Sequence, residues 1–176
     1  MSKYKDLYTI MHNRGRVYHG SCLINFIEDI GKLTYETKSE TLLDYGSGKG
    51  LQYSVDRLHE KYLSNIFPTL YDIGIPSYSV LPTGKFDGVF STDVLEHIPE
   101  DELDSVLEYI FNVANKFVYL AICTIEAPDL LPNGEQAHVT IKPFEWWVEK
   151  ITPFVKVDTT VHCYGKETTI KLIKAK

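Results

Sequence analysis

Thr41-Leu-Leu-Asp-Tyr-Gly-Ser-Gly-Lys-Gly50 is a short apolar run that ends on an acid, an aromatic and three alternating glycines. Thr41 to Tyr45 has the length and the lack of polar alternation expected of a strand buried on both faces of a parallel sheet. Gly46, Gly48 and Gly50 then require a sharp turn, because glycine takes positive φ without strain and lets a ligand approach the main chain. A helix beginning beyond Gly50 would present unpaired N–H groups and a positive dipole end to that turn. Strand, turn and helix in this order are expected to make a nucleotide site; the plain alternative is a glycine-rich turn with no ligand.

Working outward, Leu51 to Ser64 carries Val55, Leu58, Tyr62 and Leu63 on one stripe, which predicts an amphipathic helix whose first turn brings Gln52 and Tyr53 to the ligand. Thr69 to Tyr71 is the next short strand and ends on Asp72. An acid at this place accepts hydrogen bonds from ribose hydroxyls in nucleotide folds of this architecture, and a surface-turn aspartate is the alternative. The spacing narrows the nucleotide. In the dinucleotide fingerprint G-x-G-x-x-G the last glycine falls where this chain has Leu51, and Asp44 would repel a pyrophosphate and attract an ammonium. The pattern Asp-x-Gly-x-Gly-x-Gly resembles the first motif of the class I S-adenosylmethionine (SAM) dependent methyltransferases. A Rossmann oxidoreductase using NAD is disfavoured by the same spacing.

Farther along, Phe86-Asp-Gly-Val-Phe-Ser-Thr-Asp-Val-Leu-Glu-His-Ile98 looks like the fourth motif of that family, where a strand ends beside the transferring methyl. Leu103, Val106, Leu107, Ile110, Phe111 and Ala114 continue at helical spacing, with Pro99 near the first position and Glu100, Asp101 and Glu102 suited to the positive end. Phe117 to Cys123 reads as a central strand. A long connection over residues 124–142 follows, then a helix from Pro143 to Ile151 holding Trp146 and Trp147. Val155 to Cys163 and Glu167 to Lys174 are expected to pair around Tyr164-Gly165-Lys166 as a closing hairpin. Upstream, Leu23, Ile24, Phe26, Ile27 and Ile30 predict a helix over 21–32 with Gly31 as its C-cap. Residues 1–20, rich in aromatic and basic groups, are either a loose terminus or a lid.

Between Ile73 and Lys85, two prolines and two glycines leave no room for a helix, a strand and a return. The expected fold is therefore α/β, a Rossmann-like three-layer sandwich on a mostly parallel sheet with a C-terminal antiparallel hairpin, its third strand and preceding helix shortened or missing. One domain covers 1–176, with 21–176 as the core. In the family the missing region helps hold adenine; here Ile73, Tyr78 or Leu81 would pack on the ring.

The composition is that of an ordinary globular chain, 44% hydrophobic and 24% charged over 176 residues. A net charge of -6 argues against general binding to a nucleic-acid backbone. Cys22, Cys123 and Cys163 show no metal-ligand spacing, and their odd number without a signal peptide suggests reduced thiols in a cytoplasm. No run is long enough to span a bilayer. Oligomeric state is not legible.

The wording Leu-Asp-Tyr-Gly-Ser-Gly-Lys-Gly-Leu-Gln-Tyr53, with Leu-Pro-Asn-Gly-Glu-Gln-Ala-His-Val-Thr-Ile-Lys-Pro-Phe-Glu-Trp-Trp147 later, is similar to compact class I methyltransferases encoded by bacteriophages and some bacteria. The resemblance implies SAM as cofactor and S-adenosylhomocysteine (SAH) as product. It assigns Gly46, Ser47, Gly48 and Gly50 to the methionine and ribose side, Asp44 to the amino end, Asp72 and Ile73 to the nucleoside, and Ser91, Thr92 and Asp93 to the border of the methyl. For a general base His138 is preferred, with Asp93, His97, Glu96 and Glu135 as alternatives and a loop-fixing histidine as the bland reading. No metal site is read. The chain lacks the Pro-Pro-aromatic segment of amino-methylating DNA enzymes and the Pro-Cys of cytosine-C5 enzymes, so a small-molecule or saccharide acceptor ranks above nucleic acid, with a side chain on a protein as a further alternative. Binding SAM or SAH without transfer, as an accessory protein, is the alternative function.

Overall fold

The computed structural model describes residues 4–13, 21–155, 159–164 and 167–173. Four parallel strands, β1 (Leu42–Tyr45), β2 (Thr69–Tyr71), β3 (Phe86–Thr92) and β4 (Ala114–Cys123), carry the fold. β5 (Thr159–Tyr164) pairs antiparallel with β6 (Glu167–Ile173), and β6 pairs antiparallel with β4, so the sheet runs β2-β1-β3-β4-β6-β5. The expected turn at Gly165 and Lys166 lies outside the described residues, as do Arg14, Arg16, Tyr18 and His19 of the leading segment. Because the chain leaves β1 toward β2 and returns on the other side as β3, the strand order reverses beside β1. Ligands of open α/β sheets sit at that point, beyond the carboxyl ends of the strands.

Side chains of β4 alternate between two cores. Val118, Leu120 and Ile122 join α5 (Glu100–Val113) and α6 (Phe144–Ile151) on one face, with Leu107, Ile110 and the fully enclosed Trp147. Phe117, Tyr119 and Ala121 meet α2 (Ile27–Glu36) and the segment around Leu58 and Leu63 on the other. This is the period of two that a strand covered on both faces must show. Gly88 of β3 lets the ring of Phe117 lie directly against the sheet.

Local structure departs from expectation in four places. The helix after the glycines is broken into α3 (Leu51–Ser54) and α4 (Leu58–Tyr62), with Arg57 in the left-handed region at φ 54° and Val55 exposed. Ser54, Val55 and Asp56 are weak helix formers, and Ser54 Oγ donates to the Gly50 carbonyl. A four-residue helix supplies no macrodipole of consequence, so the pocket cannot rest on one. Gly31 lies inside α2, where a Cβ would collide with the Tyr62 carbonyl; it is a close-approach residue and not a C-cap. The segment before it is a 3-10 turn (Ser21–Asn25), which leaves Ile24 half exposed. Ala114 opens β4 directly from α5.

Between β2 and β3 the described chain has one 3-10 turn, Pro76–Tyr78, closed by Asp72 N–H to Tyr78 O and Tyr78 N–H to Ile75 O. No third strand or helix intervenes among the described residues. Finally, Lys5–Asn13 is a helix, α1.

Candidate functional site

The bend after β1 is held from both sides. Gly46 N–H and Ser47 N–H both donate to the Tyr71 carbonyl at 2.7 and 3.0 Å, tying the bend to β2. Gly46 has φ 89°, and any Cβ there would run into the Val94 side chain, so only glycine closes the turn against the loop after β3. Asp44 is buried at the tip of β1. Its Oδ2 accepts from Tyr53 Oη at 2.7 Å and from Gln52 Nε2 at 3.3 Å. Burial nonetheless pushes this carboxyl up to about 7, against the lowering effect of those two hydrogen bonds and with the charge of Asp72 adding to the rise. Gln52 Nε2 also donates to Ser47 O at 3.0 Å, which leaves Oε1 buried with no hydrogen-bond partner among the described residues.

Asp72 ends β2 and is already engaged. Oδ2 accepts the Gly48 N–H at 2.9 Å, Oδ1 accepts the Gly74 N–H at 2.9 Å, and His12 Nε2 lies 3.1 Å from Oδ1. His12 comes from α1, which crosses the open ends of the strands. Tyr8 Oη of the same helix donates to the His97 and Ala137 carbonyls at 2.8 and 3.2 Å, and Tyr4 Oη to Glu135 at 3.0 Å. Tyr4, Tyr8 and Met11 form a small core with Leu131 and Ala137 of the 124–142 connection. The leading helix and the long loop thus make one cover.

The far wall is built where β3 ends. Asp93 has φ 54°, a left-handed conformation that aspartate tolerates better than most residues, and its N–H bonds to Ala121 O at 2.9 Å. Burial raises its carboxyl above the ordinary range, opposed by a hydrogen bond from Cys22 and by His138. A 3-10 turn, Leu95–His97, follows. Glu96 is fully buried, with Oε1 accepting the Cys123 N–H at 3.1 Å. His97 Nδ1 lies 2.9 Å from Ala137 O and His138 Nδ1 lies 2.6 Å from Ile125 O. A carbonyl only accepts, so in both rings Nδ1 carries the proton. The rings meet edge to face at 4.7 Å between centroids. Burial, reinforced by His138, pushes His97 down to about 3, so it is neutral at ordinary pH.

These parts enclose a cavity of about 670 Å³. Of the residues anticipated from sequence, Asp44, Gly46, Gly48, Gln52, Asp72, Ile73, Thr92, Asp93, His97 and His138 line it. Ser47, Gly50, Tyr53 and Ser91 do not. Tyr53 stands behind Asp44, and Ser91 is buried near the end of β3. Leu81 reaches the lining and Tyr78 does not, and both tryptophans stay outside: Trp147 in the core, Trp146 between Lys142 and Lys150. Sequence reasoning missed Tyr4, Tyr8, His12 and Cys22, and the α5 contribution of Glu102, Val106 and Tyr109. The signal for Tyr4, Tyr8 and His12 was the density of aromatic and basic residues at the start of the chain.

An open sheet of four parallel strands with its cavity at the switch point and an acid at the tips of both β1 and β2 can be matched against solved structures. The fold is that of the class I methyltransferases. DhpI, solved with SAH, superposes with a TM-score of 0.59 at 12% identity over 97% of each chain. A Burkholderia thailandensis 1,6-didemethyltoxoflavin N1-methyltransferase, solved with its substrate and SAH, gives 0.59 at 13% identity over 100% of this chain and 92% of that one. A Burkholderia thailandensis O-methyltransferase family protein gives 0.62 at 11% identity over 85% of this chain, which spans 55% of that protein. No family model and no curated protein matches the sequence itself. No described helix is long and apolar enough to cross a membrane.

Proposed function

We propose that this chain is a SAM-dependent methyltransferase that moves the sulfonium methyl to a nucleophile on a small molecule or saccharide by in-line displacement. One observation carries the reading: a single cavity has a glycine bend flanked by Asp44 and Asp72 on one side and Thr92, Asp93, His97 and His138 on the other. The first side suits an amino acid joined to a nucleoside. Asp44 and Gln52 Oε1 offer acceptors to the ammonium, and Asp72 offers a carboxylate to the ribose hydroxyls, with Ile73 and Leu81 beside the adenine. Two of the similar structures contain SAH, which supports the same cofactor here.

Since His12 stands against Asp72, the ribose takes its place only if α1 shifts, and α1 with the 124–142 loop is a lid. The C–S bond breaks with its electron pair going to sulfur as the acceptor atom bonds to carbon. The sulfonium is electrophilic already, so the protein contributes alignment and removal of the acceptor's proton. His138 suits the second task because its Nδ1–H is tied to Ile125 O, which leaves Nε2 with the lone pair.

The experiment is incubation of a metabolite extract with methyl-labelled SAM, followed by a search for labelled product. With the acceptor in hand, His138→Ala is expected to lower turnover about 100-fold or more while leaving SAM affinity in place. An unchanged rate removes His138 from the mechanism. The contact between His12 and Asp72 also favours a second reading, a SAM- or SAH-responsive binder without turnover. Tight binding of SAM with no labelled product from any acceptor is its signature.

A further inference from the structure

The far wall of the cavity contains a donor set that methyl transfer by itself does not require. One ligand-type atom from each of Glu96, His97 and His138 lies within 4.8 Å of the other two. The separation of His138 Nε2 from Glu96 Oε1 is 4.0 Å. Metal bonds of about 2.0–2.2 Å set cis ligand atoms about 3–3.5 Å apart, so closure on an ion needs a shift of roughly an ångström or less at each donor.

The surroundings already prepare these groups as ligands. Both imidazoles give their Nδ1 protons to main-chain carbonyls, the arrangement that fixes the ring and leaves Nε2 with a lone pair. Glu96 is locked by the Cys123 N–H to its Oε1, while its own carbonyl accepts the Thr140 N–H at 2.9 Å. That bond clips the turn after β3 to the 124–142 loop. Asp93, with a buried oxygen that has no partner among the described residues, interacts electrostatically with His138 but stands outside this group of donors.

We infer that Glu96, His97 and His138 bind a divalent first-row transition ion whose open positions face the cavity. Two imidazoles and one carboxylate suit Zn²⁺, Mn²⁺ or Fe²⁺; Mg²⁺ and Ca²⁺ favour all-oxygen sets. Because His97 and His138 line the cavity and Glu96 lies behind them, the vacant coordination sites open toward the acceptor side. The inference rests on the proposed methyltransferase reading for what then happens. A hydroxyl of the acceptor ligates the ion and loses its proton to water. The metal-bound oxygen forms its bond to the sulfonium carbon, the C–S bond breaks toward sulfur, and the ion is released from the ether unchanged in oxidation state. The acceptor class is thereby narrowed to hydroxyl compounds. A cation at His138 Nε2 replaces the proton that a general base would take.

The test uses full-length protein stripped with chelator and titrated calorimetrically with Zn²⁺, Mn²⁺ and Mg²⁺, with metal content read by mass spectrometry and SAM titrated separately. One equivalent of Zn²⁺ or Mn²⁺ is expected, with Mg²⁺ at least about 100-fold weaker. His138→Ala and the near-isosteric Glu96→Gln should each weaken transition-metal binding by about 100-fold or more. SAM affinity of His138→Ala should stay at the wild-type value. Metal binding that survives both substitutions, or none in a protein that binds SAM, overturns the site. Metal binding in a protein that ignores SAM supports the site and overturns the methyltransferase reading instead.

Discussion

Asp44 is the residue at which burial and function pull in opposite directions. Its carboxyl is pushed up to about 7, compared with an ordinary value of 3.8, because burial disfavours the charged form. The folded chain therefore holds a proton between pH 4 and 7 that the unfolded chain has released. Stability from this group is fully present below the unfolded value and is lost as pH rises through about 7. A bound ammonium reverses the preference, since it attracts the carboxylate form. SAM affinity should accordingly rise with pH, by up to about tenfold per unit below 7, and level off above it. Calorimetric titrations from pH 5.5 to 8 measure this. Asp44→Asn, which mimics the protonated carboxyl, should flatten the pH dependence, weaken SAM throughout and raise the melting temperature of the unliganded protein at pH 8. A pH-independent affinity in the wild type would separate Asp44 from the ammonium.

At the scale of elements, α1 is both the least legible part of the sequence and the part that covers the site. Its buried side chains are few and stand among polar neighbours, so the short helical stripe of Tyr8 and Met11, with Tyr4 just before the helix, is faint in the sequence. Tyr4, Tyr8 and Met11 pack on the 124–142 loop, while His12 turns to Asp72. Sequence patterning reports burial against one surface; it does not report which tip a side chain will reach. The same limit hid the Glu96, His97 and His138 grouping, whose members are neighbours only because the long loop folds back to β3. The strands and their acids could be read, since a buried parallel strand leaves a continuous apolar run and the glycines punctuate it. If His12 holds the position that the ribose must take, His12→Ala should tighten SAM binding by up to about tenfold, the return from one charge-assisted contact no longer broken on binding. Weaker binding in that variant would show instead that His12 and Asp72 hold the ribose together.

At the scale of the whole molecule, three cores among the described residues carry different duties. Two lie on either face of the sheet and were legible in outline, because β4 and α5 have unmistakable periods. The third, under α1, is made of Tyr4, Tyr8, Met11, Leu131 and Ala137 and is tied to the turn after β3 and to the long loop by the Tyr8 hydroxyl on the His97 and Ala137 carbonyls. Elements with few apolar contacts open below the global unfolding free energy, which is what a lid over a cofactor needs. Truncation at the two kinds of core should separate them. Trp147→Ala removes a fully enclosed ring between α6 and the sheet, and should cost about 3–5 kcal/mol and lower the melting temperature by roughly 10 °C. Met11→Ala removes an equally hidden side chain from the third core, yet it should shift melting by only a few degrees. Its effect should appear as faster amide exchange confined to 5–13 and the 124–142 loop, and saturating SAM should restore the protection. Were Met11→Ala to melt the protein as far as Trp147→Ala does, the cover would belong to the cooperative core and could not move aside for a ribose, and cofactor entry would have to be sought along the 72–85 edge instead.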